Sequence, residues 1–101
     1  MDLNLADKVV IVTGASRGLG EAIVKDLVDE GASVIAAARS ESALKEISKY
    51  APDRIAVCVA DMENRNEVQG LVDFALETFG SLSAVVNNAG IAPAGKFVET
   101  D

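Results

Sequence analysis

Histidine is absent from these 101 residues, cysteine occurs once, and basic side chains are few. The lack of histidine removes the commonest metal ligand together with the commonest general base, so no metal centre is expected. A single cysteine rules out a disulfide within the chain. Cys58 lies inside the apolar run Ile55 to Ala60, where it reads as a small buried thiol rather than a reactive one. Nine Lys and Arg stand against sixteen Asp and Glu, for a net charge of -7. The bases do not cluster, so neither nucleic acid nor an anionic membrane surface is a natural partner. No apolar run is long enough to span a bilayer, and Met1 to Lys8 has neither the basic start nor the apolar centre of a signal peptide. A cytoplasmic protein is expected.

Half of the residues are apolar despite the acidity. That combination suits parallel strands buried on both faces by acidic, solvent-covered helices. Residues 1–101 are expected to form one domain, burying about 60 to 70% of the surface its unfolded chain exposes.

The chain is organised around Thr13-Gly14-Ala15-Ser16-Arg17-Gly18-Leu19-Gly20, between the apolar run Val9 to Val12 and an amphipathic helical pattern. A strand that stops abruptly, a backbone free to approach a pyrophosphate and a helix N-terminus aimed at that anion make a dinucleotide-phosphate turn. Gly14 can take the positive φ of the turn, Gly18 has no Cβ to block the phosphates, and Gly20 lets the helix lie close to the sheet. The spacing Gly-x-x-x-Gly-x-Gly leaves room for Ser16 and Arg17 to reach the nucleotide. A Walker-type loop is excluded because Leu19, not Lys, follows Gly18. A glycine turn that binds nothing is the plain alternative.

Lys8 to Thr13 reads as a buried first strand. In the following helix Leu19, Ile23 and Leu27, with Val24 and Val28, form an apolar face, and Gly31 stops it. Ser33 to Ala38 is a second strand closing at Arg39. Ser40 then caps a helix that runs to about Tyr50. Arg54 to Ala60 is a third strand ending at Asp61. Asn64 and Glu67 are spaced as a capping box for a helix through Val68, Leu71, Val72, Ala75, Leu76 and Phe79. Gly80 ends it, and Leu82 to Val86 is a fourth strand running into Asn87-Asn88-Ala89-Gly90. The order β-α-β-α-β-α-β implies an α/β, Rossmann-type parallel sheet in three layers, with right-handed crossovers and strand order 3-2-1-4.

Ligands gather at the carboxyl ends of such strands, where the polar residues of this chain fall. The first end supplies Gly14, Ser16, Arg17, Gly18, Leu19 and Gly20, the second Arg39, the third Asp61 and Met62, and the fourth Asn88, Ala89 and Gly90. An NAD site usually has an acid at the end of the second strand for the ribose 2'-hydroxyl. Arg39 stands there instead and suits a 2'-phosphate, with Arg17 approaching from the other side, so the cofactor expected is NADP(H). Asp61 can accept from the adenine amino group, or simply cap the next helix. Arg39 has its own plain alternative, a solvated loop cation.

On these residues, and on Ala60-Asp61 and Asn87-Asn88-Ala89-Gly90, the chain resembles the short-chain dehydrogenase/reductase family, of the 3-oxoacyl-acyl-carrier-protein reductase-like kind. The resemblance covers the whole chain. It implies NADP(H)-dependent carbonyl reduction or alcohol oxidation by hydride transfer. Ser83 departs from the acid the family usually carries before the fourth strand. The larger departure is length: family members are more than twice as long, and their Tyr, the Lys four residues later, the Ser and a further Asn find no counterparts here. Tyr50 is followed four residues on by Arg54 and belongs at the other end of the sheet, as a packing residue. No catalytic residue is therefore assigned, and the resemblance implies a cofactor-binding half that does not catalyse hydride transfer efficiently alone.

With the fourth strand at an open, apolar edge, a two-fold homodimer through Leu82 to Val86 is expected, or a complementary C-terminal half. The alternatives are a non-catalytic NADP-binding module and a self-associating structural half-fold. A phosphoacceptor receiver domain is excluded, because its first strand would end in acids that bind Mg²⁺ rather than in Thr13 and glycines.

Overall fold

The computed structural model describes residues 5–15, 18–60 and 65–87. Seven elements follow one another in the order strand, helix, strand, helix, strand, helix, strand. They are β1 (Val9–Thr13), α1 (Gly18–Asp29), β2 (Ser33–Ala38), α2 (Glu41–Ser48), β3 (Ile55–Val59), α3 (Arg65–Phe79) and β4 (Ala84–Asn87). The four strands make one parallel sheet in the order β3-β2-β1-β4, as the alternation of strands and helices predicts.

β1 is the inner strand on which the sheet is registered. Val10 stands opposite Val34 of β2 on one side and Ala84 of β4 on the other. All five of its residues are buried, which explains an unbroken β-branched run in place of alternation. One apolar layer joins Val10, Val12, Val34 and Ala36 to Val24 and Val28 of α1 and Leu44 and Ile47 of α2. The opposite layer joins Val9, Ile11, Ile35, Ala37 and Val85 to Leu71 and Ala75 of α3. Ala36, Ala37 and Ala38 are small because helices press on both faces of β2.

The turns follow their residue chemistry. Gly31 ends α1 at φ +106°, and a Cβ there would stand 3.1 Å from the Ala6 nitrogen, so both backbone angle and space demand glycine. Ser40 caps α2, its Oγ accepting from the Ala43 N–H at 3.3 Å. Asn64 of the expected capping box lies outside the described residues.

Five sequence expectations need correction. Leu19 is 68% exposed and not part of the buried face of α1, which consists of Gly20, Val24 and Val28 with Ile23 and Leu27 partly buried. It stands in the first helical turn, past the edge of the sheet that α1 covers. α2 stops at Ser48, and Tyr50 is 46% exposed rather than packed. Its hydroxyl donates to Asp29 Oδ1 at 2.7 Å, and Lys25 Nζ lies 5.4 Å from its ring centre. Cys58 is half-buried, since β3 is an edge strand and α3 does not fully cover it. β4 begins at Ala84, and Leu82 and Ser83 lead into it.

Candidate functional site

β1 delivers its chain to the carboxyl edge of the sheet and turns there. Thr13, the last residue of the strand, is fully buried, and its Oγ1 donates to Asn87 Oδ1 at 3.0 Å, with Val86 O at 3.4 Å. This contact ties the strand end that opens the glycine turn to the strand end that precedes Asn88. At the other end of the same pair of strands the Ser83 N–H donates to Val9 O at 2.8 Å, and Ser83 Oγ accepts from the Val9 N–H at 3.3 Å. Serine in place of the expected acid thus fastens β4 to β1.

Gly14 follows at φ +63°, the left-handed conformation the turn requires. The Ala15 N–H donates to Ala37 O at 3.2 Å, which holds the turn down on β2. Gly18 opens α1 at φ +56°, and no described atom lies within 4 Å of where its Cβ would stand. The glycine is therefore required by its backbone angle, and the space in front of it is open. Gly20 is buried in the contact between α1 and the sheet, as its position in the turn predicts. Leu19 presents its side chain outward beside this opening.

The first-turn N–H groups of α1 lack intrahelical partners and carry the positive end of the helix dipole. A helix N-terminus of this kind is suited to a phosphate or pyrophosphate. Arg39 is the single residue between β2 and the cap Ser40, and it is exposed at the same edge. Neither side-chain ion pair found among the described residues involves it. The third strand arrives alongside, the Ala60 N–H donating to Ala38 O at 2.9 Å, so the ends of β2 and β3 lie side by side at this edge.

The structure thus brings Gly14, Gly18, Leu19, Gly20 and Arg39 to one edge of the sheet. Ser16, Arg17, Asp61, Met62, Asn88, Ala89 and Gly90 lie outside the described residues. Thr13 and Ser83 were not read from the sequence as clamps. The available signal for Thr13 was a hydroxyl closing an otherwise apolar strand, which must find an acceptor once buried. Asn87 is the acceptor that satisfies it.

Tyr50 is remote from this edge. Its partner Asp29 ends α1, which runs from the carboxyl edge of the sheet back to the amino edge. The hydrogen bond to Asp29 raises the Tyr50 pKa above its ordinary value, aided by desolvation and by the charges of Asp29 and Asp26. The Cys58 thiol is also pushed up, by burial first and by Glu67 second. Among the described residues no cluster of His, Cys, Asp and Glu could hold a metal ion, and no helix is long and apolar enough to cross a membrane.

Comparison with known proteins places this geometry. Residues 8–101 match the family model described as short chain dehydrogenase. A 3beta-hydroxysteroid dehydrogenase of Eggerthella lenta is 41% identical over 91 residues, covering 86% of this chain and 35% of that protein. An uncharacterized oxidoreductase of Staphylococcus aureus is 40% identical over 96 residues, covering 94% and 42%. Among solved structures, a short-chain dehydrogenase/reductase of Brucella melitensis superposes with a TM-score of 0.85 at 28% identity, over all of this chain and 44% of its own. A 3-ketoacyl-(acyl-carrier-protein) reductase from the same organism, complexed with NADH, superposes with a TM-score of 0.76 at 28% identity, over 80% and 33%. The chain spans well under half the length of these relatives. With the glycine turn, the strand order and the sequence match in agreement, the chain belongs to the short-chain dehydrogenase family, whose members use a nicotinamide dinucleotide.

Proposed function

We propose that these residues are the NADP(H)-binding portion of a short-chain oxidoreductase that reduces a carbonyl or oxidises an alcohol. The observation that carries the reading is Arg39, exposed at the carboxyl end of β2 and held there between a strand and a helix cap. A carboxylate at that point would favour a ribose 2'-hydroxyl, whereas a guanidinium favours a 2'-phosphate. The open, positive-φ turn at Gly14 and Gly18 and the N-terminus of α1 fit the pyrophosphate. Ser16 and Arg17 join this contact, Leu19 borders it, and Gly20 keeps the helix close. Asp61, Met62, Asn88, Ala89 and Gly90 frame the adenine and its ribose from the neighbouring strand ends.

The nicotinamide, when bound, supplies or accepts a hydride. The residues described here bind and orient, and none is assigned as the acid or base. Tyr50 is committed to Asp29 at the other edge of the sheet. The proton-transferring residues of the whole oxidoreductase then come from sequence outside these 101 residues. Calorimetric titration with NADPH and with NADH tests the reading. NADPH is expected to bind more tightly, and Arg39→Ala to erase about 1.5 to 3 kcal/mol of that preference, a factor of roughly ten to a hundred. Equal binding of both dinucleotides by the unaltered chain would overturn the NADP assignment.

A second reading rests on β4. Among the described residues it pairs only with β1, and Ala84, Val85 and Val86 line its outer edge. We propose that a second copy can join along this edge to form a two-fold dimer in which two nucleotide sites are held without chemistry. A mass that stays at 10.5 kDa from high dilution to high concentration contradicts that dimer.

A further inference from the structure

The crossover from β3 to β4 passes over β2 and β1, and α3 accordingly packs on those inner strands, with Leu71 and Ala75 against Val9, Ile11, Ile35 and Ala37. β3 is covered by α2 on its other face and only partly covered on the face toward α3. The result is a shelf enclosing about 460 Å³, floored by Cys58 and Ala60 and walled by Gly70 and Phe74 of α3, with Glu67, Asp73 and Glu77 along its rim. The shelf has small residues below and carboxylates above. Among the described residues no Lys or Arg lines it.

Among the described residues, the strand beside the shelf has an open edge. Arg54 O accepts from the Val34 N–H, and the Ala60 N–H donates to Ala38 O, so the even-numbered residues of this stretch turn their backbone groups toward β2. Val57 and Val59 therefore aim theirs away from the sheet. The Cys58 thiol approaches Val59 O at 4.0 Å. Val59 is 50% exposed, and β3 carries none of the charges or prolines that commonly blunt an edge.

We propose that the β3 edge and its acidic shelf receive an extended segment of a partner protein with Lys or Arg at every second position. The segment adds as a fifth strand, its backbone pairing with Val57 and Val59. Its long basic side chains lie with their aliphatic stems over Cys58 and Ala60 and their charged ends among Glu67, Asp73 and Glu77. The small floor residues leave room for stems that a Leu or Phe at these positions would displace. A second copy of this chain is disfavoured as the occupant, because β3 paired with β3 would bring two acidic rims together. The net charge of -7 draws a basic segment in and repels an acidic one.

A fluorescently labelled heptapeptide of alternating lysine and valine, titrated into the full chain and followed by anisotropy, tests the proposal. Binding is expected at low salt, with the amides of Val57 and Val59 gaining protection from hydrogen exchange. The E67Q/D73N/E77Q variant, altered only at solvent-accessible rim positions, is expected to bind about tenfold more weakly. The same peptide N-methylated at every backbone amide is expected to lose binding, which separates strand addition from mere charge attraction. The proposal is overturned if the lysine–valine peptide does not bind. It is also overturned if the N-methylated peptide or a glutamate–valine peptide binds as well, or if protection appears elsewhere in the sheet.

Discussion

Gly31 carries two constraints at once, and they add. At φ +106° any side chain is strained, and a Cβ would sit 3.1 Å from a backbone nitrogen that cannot swing away as a side chain could. Gly31→Ala is expected to cost about 1 to 3 kcal/mol, read as a lower urea midpoint at unchanged slope. Tyr50 makes a different kind of contribution, one that depends on proton activity. Its hydrogen bond to Asp29 raises its folded pKa above the unfolded value near 10. The folded state therefore holds its proton longer, and the contribution is fully present below pH ~10 and declines as pH rises from there through the folded pKa. Melting temperatures taken from pH 8 to 11 should fall less steeply for Tyr50→Phe than for the unaltered chain. Residues of this kind were half legible: glycine at a helix end announces the turn, whereas the partner of an exposed tyrosine depends on where α1 and the segment after α2 meet.

The elements themselves were mostly legible, because each is written in a period the chain repeats. β2 falls on Ser33–Ala38 as its apolar, small-residue run predicts, and α3 ends at Phe79 ahead of Gly80. Leu19 shows the limit. Its spacing fits the apolar face of α1, but periodicity assigns a side chain to a face without saying how far the opposing sheet extends. Helix ends shifted for a related reason: α2 stops at Ser48 although apolar and basic residues continue, since Ala51 O already accepts from the Arg54 and Ile55 N–H groups in the turn into β3. Gly70 is an element-scale oddity, a glycine in mid-helix with no described atom within 4 Å of a Cβ. Gly70→Ala should stabilise α3 by about 0.5 to 1 kcal/mol, seen as a higher denaturation midpoint. A loss of stability would mean that the empty space is occupied in solution.

At the scale of the whole molecule, the strand order was readable because right-handed crossovers leave few ways to arrange four parallel strands. The meeting of strand ends at one edge of the sheet was readable, though the Thr13–Asn87 contact that locks two of those ends together was not, because it joins residues 74 apart in sequence. β1 is paired on both sides, while β3 and β4 are each paired on one side among the described residues. Native-state hydrogen exchange should therefore find the slowest amides in Val10, Ile11 and Val12, and faster ones in β3 and β4. Equal protection across all four strands would contradict this gradient.

β1 takes a neighbour on each flank, and its two neighbours are synthesised at different times. β2 reaches it after a single helix, but Ala84 of β4 must wait until α2, β3 and α3 have been made. At about 5 to 20 residues per second that interval lasts several seconds, during which one side of a strand that ends fully buried has no permanent partner. A nascent chain paused just after β3 would carry the apolar edge of β1 into the cell, ready for a chaperone or for another chain in the same condition.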